Sequence, residues 1–241
     1  MSIILRTRTG RTSLRLTLAL LGILSIPDTA VAQGMVGNFN LVGNVNSGSG
    51  VIDFSPLGMG GAFTVGGSPT GSFAPLGSTG GALADLSAVP VASAVSVSNF
   101  LTFVAEPGLS AQLTLLPAGT FGSEQCFAAP AAGQTCTPPG SPFNFSNLTG
   151  TSSSLSFDVI GTMGDGLGGT SSFTGTFLSP FYEANYQSTL QAFGYGAIVT
   201  TPFVATFVVK GTPTTVPEPS TVVLVGGALA LLFAASRRRR V

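Results

Sequence analysis

Between residues 33 and 216 the groups able to do chemistry are few: the carboxylates Asp53, Asp85, Glu106, Glu124, Asp158, Asp165 and Glu183, the amine of Lys210, and the thiols of Cys126 and Cys136. The 241-residue chain has no His and no Trp. Without imidazole there is no Ser-His-Asp triad and no His-ligated metal. Two carboxylates can hydrolyse a glycoside, one as acid and one as base or nucleophile, but no spacing among these acids singles out a pair. A Ser-Lys dyad would have to use Lys210, which ends an expected strand beside a linker. Asp165, within Gly164-Asp165-Gly166-Leu167-Gly168-Gly169, could offer Ca²⁺ a carboxylate and carbonyls. Calcium loops repeat oxygen ligands at fixed intervals, and here one acid stands alone, so a hairpin turn is the expectation. The inventory points away from an enzyme, and no cofactor and no metal are expected.

Cys126 and Cys136 are the only cysteines, and they enclose nine residues of a loop rich in Ala, Pro and Gly. In an exported chain such a pair is expected to close one local disulfide. A zinc site would need further ligands, and with no His and no third Cys only carboxylates remain. Aromatic platforms for sugars are sparse as well. The three tyrosines, Tyr182, Tyr186 and Tyr195, lie on or near an expected helix, where their spacing suggests packing and not a sugar face. Asn144-Phe145-Ser146 and Asn147-Leu148-Thr149 match glycosylation sequons.

Strands must position these groups. Residues 33–216 contain 29 Gly and 13 Pro, and between these breakers Phe, Val, Thr and Leu fall at alternate places in residues 94–104, 111–116, 154–161, 172–177 and 203–209. Period two with β-branched and aromatic content, broken by frequent turn signals, predicts an all-β domain, an antiparallel β-sandwich or jelly-roll-like fold. One short helix is expected over 182–193, with Tyr182, Tyr186, Leu190 and Phe193 on one side and Gly194 ending it. Phe54-Ser55-Pro56-Leu57-Gly58 is echoed by Phe73-Ala74-Pro75-Leu76-Gly77, which suggests two similar hairpins or a coincidence of composition.

The formal net charge is zero, yet it sums three unlike segments. Arg6, Arg8, Arg11 and Arg15 open the chain, Arg237, Arg238, Arg239 and Arg240 nearly close it, and residues 33–216 hold one base against seven acids, a formal charge of −6. Such a distribution carries no nucleic-acid footprint. The N-terminal basic stretch is followed by the apolar run 16–26, Pro27, and the small-residue site Ala30-Val31-Ala32. This is the three-part pattern of a signal peptide over 1–32, cleaved after Ala32. It implies handling by the Sec translocon and signal peptidase. At the other end the 17 residues from Ser220 to Ser236 carry no charge. At about 1.5 Å per residue they reach roughly 25 Å as a helix, enough for a short transmembrane span over 220–236 with the Arg237–Arg240 tail as a cytoplasmic stop.

Immediately before that span stands Val216-Pro217-Glu218-Pro219-Ser220. Pro-Glu-Pro, a short apolar helix and a terminal arginine cluster resemble the PEP-CTERM sorting signal of bacteria that make exopolysaccharide, over residues 217–241. The resemblance implies recognition of Pro217, Glu218 and Pro219 by an exosortase, a membrane-embedded cysteine transpeptidase that cuts near the motif. The local chemistry agrees. Pro at 217 and 219 fixes φ and disfavours helix at the residue before each, which keeps the motif extended for a protease, while the polar, Pro-interrupted linker 211–216 spaces it from the domain 33–210.

The expected protein is therefore secreted or displayed at the cell surface, held transiently in the inner membrane by its C-terminal helix. Its expected role is non-enzymatic, structural or adhesive, at the cell surface or in a biofilm's exopolysaccharide matrix, with extracellular polysaccharide as a partner. The alternatives are a carbohydrate- or calcium-binding lectin-like module and a carboxylate-based glycoside hydrolase.

Overall fold

Eleven antiparallel strands form one sheet in the computed structural model, which describes residues 34–211 apart from Leu57 and Met59. The strands are β1 (Gly37–Gly48), β2 (Val51–Phe54), β3 (Gly61–Gly66), β4 (Gly80–Leu83), β5 (Ala94–Phe103), β6 (Ser110–Leu115), β7 (Thr135–Cys136), β8 (Asn144–Asn147), β9 (Ser153–Gly164), β10 (Thr170–Phe181) and β11 (Val199–Gly211). A 3₁₀ turn spans Gly71–Leu76 and one helix, α1, spans Tyr186–Gly194. The expected signal peptide, sorting motif and membrane span lie outside the described residues. Among the described residues no helix is long and apolar enough to cross a membrane.

The sheet closes on itself. Its order runs β10-β11-β1-β3-β4-β5-β6-β9, and β9 pairs again with β10 through the whole register from Ser153↔Phe181 to Gly164↔Thr170. Eight strands thus make an up-and-down barrel in which neighbours in space follow one another along the chain. This corrects the expectation of a sandwich or jelly roll while keeping its antiparallel β content. Alternation reports a strand with one buried face and is the same in both architectures. Closure depends on β1, which pairs with β11 on one edge and with β2 and β3 on the other. Its sequence, GNFNLVGNVNSG, is rich in Asn and Gly, residues depleted in strands, and so carries no strand pattern.

The interior is filled by phenylalanine. Inward positions alternate along β10 as Ser171, Phe173, Gly175, Phe177, Ser179 and Phe181, and along β11 as Thr201, Phe203, Ala205, Phe207 and Val209. Rings face glycines across the sheet: Phe173 opposes Gly161, Phe207 opposes Gly175, Phe203 opposes Gly43 and Phe63 opposes Gly81. Each glycine clears the space that its partner ring occupies. A Cβ at Gly161 or at Gly175 would stand 2.5 Å from the opposing ring, and one at Gly43 2.8 Å from it. The rings then stack on one another, Phe157 on Phe177 at 4.7 Å and Phe39 on Phe207 at 5.0 Å, both nearly parallel. Burying each such side chain contributes about 1.5–3 kcal/mol, and offset or edge contacts add about 0.5–1.5 kcal/mol per pair.

Half of the outward positions of β9, β10 and β11 are Ser or Thr, interspersed with Asp158, Ile160, Leu178, Pro180, Pro202, Val204, Val208 and Lys210. Apolar inside and hydroxyl-rich outside is the reverse of the polarity of a membrane-spanning barrel.

The two barrel ends differ. Residues 34–36, the 3₁₀ turn, the β5–β6 turn and the β9–β10 hairpin gather at one end, where Ser171 pairs with Gly211 and Thr70 N donates to Asn38 O. The chain both enters and leaves the barrel there, so this is the exit end. The two longest connections, carrying β7, β8 and α1, sit at the other, the loop end. Both copies of the Phe-x-Pro-Leu-Gly echo bury their Phe, but the first ends β2 and the second forms the 3₁₀ turn, so they are not similar hairpins.

The ring-over-glycine packing makes a direct prediction. Gly175→Val should cost about 1–3 kcal/mol or more by overpacking and Phe207→Ala about 3–5 kcal/mol by leaving a cavity. Gly150→Ala, where nothing lies within 4 Å, should stay within about 0.5 kcal/mol of wild type. Urea denaturation of the barrel checks all three. If Gly175→Ala and Phe207→Leu combined simply add, the two positions do not share the proposed space.

Candidate functional site

Loops at the loop end are held by buried amides. Asn144, on β8, accepts at Oδ1 from Thr120 N at 2.7 Å, Phe121 N at 3.2 Å and Thr137 Oγ1 at 2.7 Å, tying the chain after β6 to the strand beside it. Asn147 accepts from Tyr186 N at 2.9 Å and donates to Gln187 Oε1 at 2.9 Å, which fastens the first turn of α1. Both side chains are buried, so neither sequon presents its Asn to solvent.

Helix α1 starts later than its periodicity predicts. Asn185 caps it, accepting from Ser188 N at 2.9 Å, and Tyr186, Thr189 and Phe193 form the buried face. Tyr182 precedes the cap and is exposed, and Tyr195 follows the helix at 83% exposure, which corrects the expectation of packing for these two. Tyr186 alone is buried. Its hydroxyl donates to Gln125 O at 3.0 Å, and burial pushes its phenol up from the ordinary value, so it stays a donor.

The Tyr186 bond anchors the loop that carries the disulfide. Cys126 and Cys136 are joined, with Cα atoms 5.1 Å apart, as expected from the sequence. Beside them opens a cleft of about 480 Å³, walled by Val91, Phe127, Pro139, Pro142, Leu190 and Phe193 and floored by Phe145. No charged side chain lines it. Its size and apolar walls fall in the range of small-ligand sites, which are about 300–1,000 Å³. At its rim Phe127 is 95% exposed.

The carboxylates do not converge on this cleft. Asp85 accepts from Phe54 N at 2.8 Å and Gly60 N at 3.0 Å, while Asp53 accepts from Gly58 N at 2.8 Å and Asn46 Nδ2 at 3.0 Å. Together they clasp the loop between β2 and β3. Asp158 accepts from Thr176 Oγ1 at 2.7 Å on the outer face. Asp165 Oδ1 accepts from Leu167 N and Gly169 N, each at 2.8 Å, which makes its loop the hairpin turn expected of it. Glu106, Glu124 and Glu183 occupy exposed or turn positions, and Lys210 is exposed near the end of β11. Among the described residues no three of His, Cys, Asp and Glu lie together as a metal-ligand group.

Ala30, Ala32, Pro217, Glu218, Pro219 and Arg237, Arg238, Arg239 and Arg240 lie outside the described residues. The C-terminal segment is nevertheless identified by comparison: residues 215–240 match the PEP-CTERM protein-sorting motif. This motif implies an exported, membrane-associated precursor that exosortase processes to a cell-surface form. The barrel itself is assigned to no family, and neither a curated protein nor a solved structure matches the chain.

Two bonds shape the cleft, and each can be removed. Replacing both Cys126 and Cys136 by Ala should cost about 2–3 kcal/mol, the loop-closure entropy of so short a ring, and should expose the cleft wall to protease. Asn147→Ala should cost about 1–3 kcal/mol by orphaning the Tyr186 amide. Thermal melts with limited proteolysis read both, and unchanged cleavage near Phe127 would mean that the disulfide does not support the wall.

Proposed function

We propose that the chain is an exported, exosortase-processed protein whose barrel acts without catalysis, as a structural or adhesive module at the cell surface or in the exopolysaccharide matrix. The observation that carries the proposal is the sorting motif at 215–240 joined to a barrel whose interior is occupied by stacked phenylalanines. A sorting signal of this kind delivers a folded cargo, and this cargo spends its core on rigidity. Four of its acids are engaged with N–H or O–H donors in turns and on the outer face, which fits a scaffold better than an acid/base pair. Its surface, rich in Ser, Thr and Asn, suits a hydrated polysaccharide neighbourhood.

A second reading, a carbohydrate-binding module, is favoured by one specific feature. Phe127 lines the uncharged cleft and is exposed, Tyr182 and Tyr195 are exposed on other segments of the loop end, and exposed ring faces are what sugar C–H faces pack against.

One experiment separates the readings. The protein is expressed in its producer with and without exosortase, and the surface-released form is then incubated with the producer's own polysaccharide. The proposal predicts a smaller, released form only when exosortase is present, and retention by polysaccharide that is unchanged in Phe127→Ala and Tyr195→Ala. Loss of retention in those variants favours the lectin reading. Release of the same species without exosortase overturns the processing that both readings share.

A further inference from the structure

The exit end carries a feature that its polar surroundings do not explain. Val36, Val104 and Leu167 are exposed there by 52%, 78% and 86%, on three separate segments. Backbone geometry brings these segments together. Gly108, in the β5–β6 turn after Val104, packs so closely on Gly166 that a Cβ at Gly166 would stand 3.1 Å from Gly108 Cα. The hairpin that presents Leu167 leads into β10, whose Ser171 pairs with Gly211, and a Cβ at Gly211 would stand 2.9 Å from Val36 Cγ1. Val36 and Leu167 therefore flank the strand from which the chain leaves the barrel, and Val104 stands across the same rim, at the end of β5, so the three apolar tips are spread around the exit end.

The residues beyond Gly211 determine what these tips can meet. Pro217 stands six residues beyond it, and the expected membrane span begins at Ser220, nine residues beyond it. An extended chain covers at most about 3.3–3.6 Å per residue, so the exit end stays within about 30 Å of the bilayer for as long as the C-terminal segment is inserted. We infer that the exit end is a membrane-facing docking surface in the unprocessed precursor, on which Val36, Val104 and Leu167 enter the interfacial layer of a zwitterionic bilayer. The inference rests on the C-terminal segment being membrane-inserted. Glu106 and Asp165 share this end with Lys210, and the excess of acid disfavours an anionic surface. Three side chains bind too weakly to hold a free barrel on lipid, but a short tether converts the contact into an intramolecular one at high effective concentration. Cleavage at the sorting motif then removes the tether, and with it the contact. The cleft at the loop end faces away from the membrane throughout.

The two native cysteines are joined and no other thiol exists, so a single introduced cysteine can be labelled cleanly. Full-length Leu167→Cys, Val104→Cys and Phe127→Cys variants, each bearing an environment-sensitive fluorophore, are reconstituted into phosphatidylcholine vesicles containing a headgroup-region quencher lipid. Flotation in each sample reports insertion of the C-terminal segment. The expected result is flotation of all three, with loss of emission at 104 and 167 and none at 127. Flotation without quenching at 104 and 167 overturns the docking surface while leaving the anchor intact. Quenching at 127 overturns the orientation. Quenching that appears only after exosortase is co-reconstituted assigns the surface to the enzyme and overturns the lipid contact. Failure to float removes the anchor, and the inference falls with it.

Discussion

The structure depends on one packing constraint, a phenylalanine ring that occupies the space its cross-strand neighbour leaves by being glycine. Fifteen of the 17 phenylalanines among the described residues are buried, and the four Phe–Gly pairs place large rings where two side chains on adjacent strands would collide. The same device that weakens a strand locally, a glycine without a side chain to pack, here admits the largest apolar group in the core. Ring contacts then run without a break from Phe73 under the 3₁₀ turn, through Phe39, Phe207, Phe177 and Phe157, to Phe143, Phe145 and Phe193 at the loop end. The barrel is in effect one aromatic column wrapped by hydroxyl-bearing strands. Closure leaves none of the eight barrel strands as an open edge.

A filled interior pushes function to the ends. At the loop end, Asn144, Asn147 and Tyr186 use buried amide and phenol hydrogen bonds, with the Cys126–Cys136 disulfide, to stiffen connections that have little regular structure of their own. The result is an uncharged cleft with the exposed Phe127 at its rim. At the exit end, whose rim bears three exposed apolar tips, both chain continuations leave together. This polarity suits a precursor tethered at one end and presenting the other, and it arises from topology: an even number of up-and-down strands returns the chain to the end where it began.

How much of this the residues disclose follows their physics. Strands β5, β6, β9, β10 and β11 are legible because one buried face gives alternation; β5 and β6 fall within one residue of their expected bounds, whereas β9 runs four residues longer and β10 and β11 six residues longer each. Strand β1 is not, since its four Asn and three Gly imitate a loop, and without β1 a closed barrel cannot be told from a sandwich. The helix reads one turn too long because Tyr182 continues the spacing of Tyr186 and Leu190, whereas Asn185 caps the chain after it. The disulfide is legible from the cysteine count. The cleft is not, because its walls come from segments far apart in sequence and contain no chemically distinctive residue. The sorting motif, by contrast, is read directly, being short, contiguous and independent of the fold.

Aromatic packing closes the barrel through the β1–β11 seam, so the seam offers the most direct measurement. Native-state hydrogen exchange of the residue 33–216 fragment, followed amide by amide, compares β1 and β11 with the β9–β10 pair. Closure predicts that amides along both pairings are released together, only by global unfolding. Release of the seam well before β9–β10, at denaturant concentrations where the rest of the barrel is intact, would contradict it and describe an open sheet.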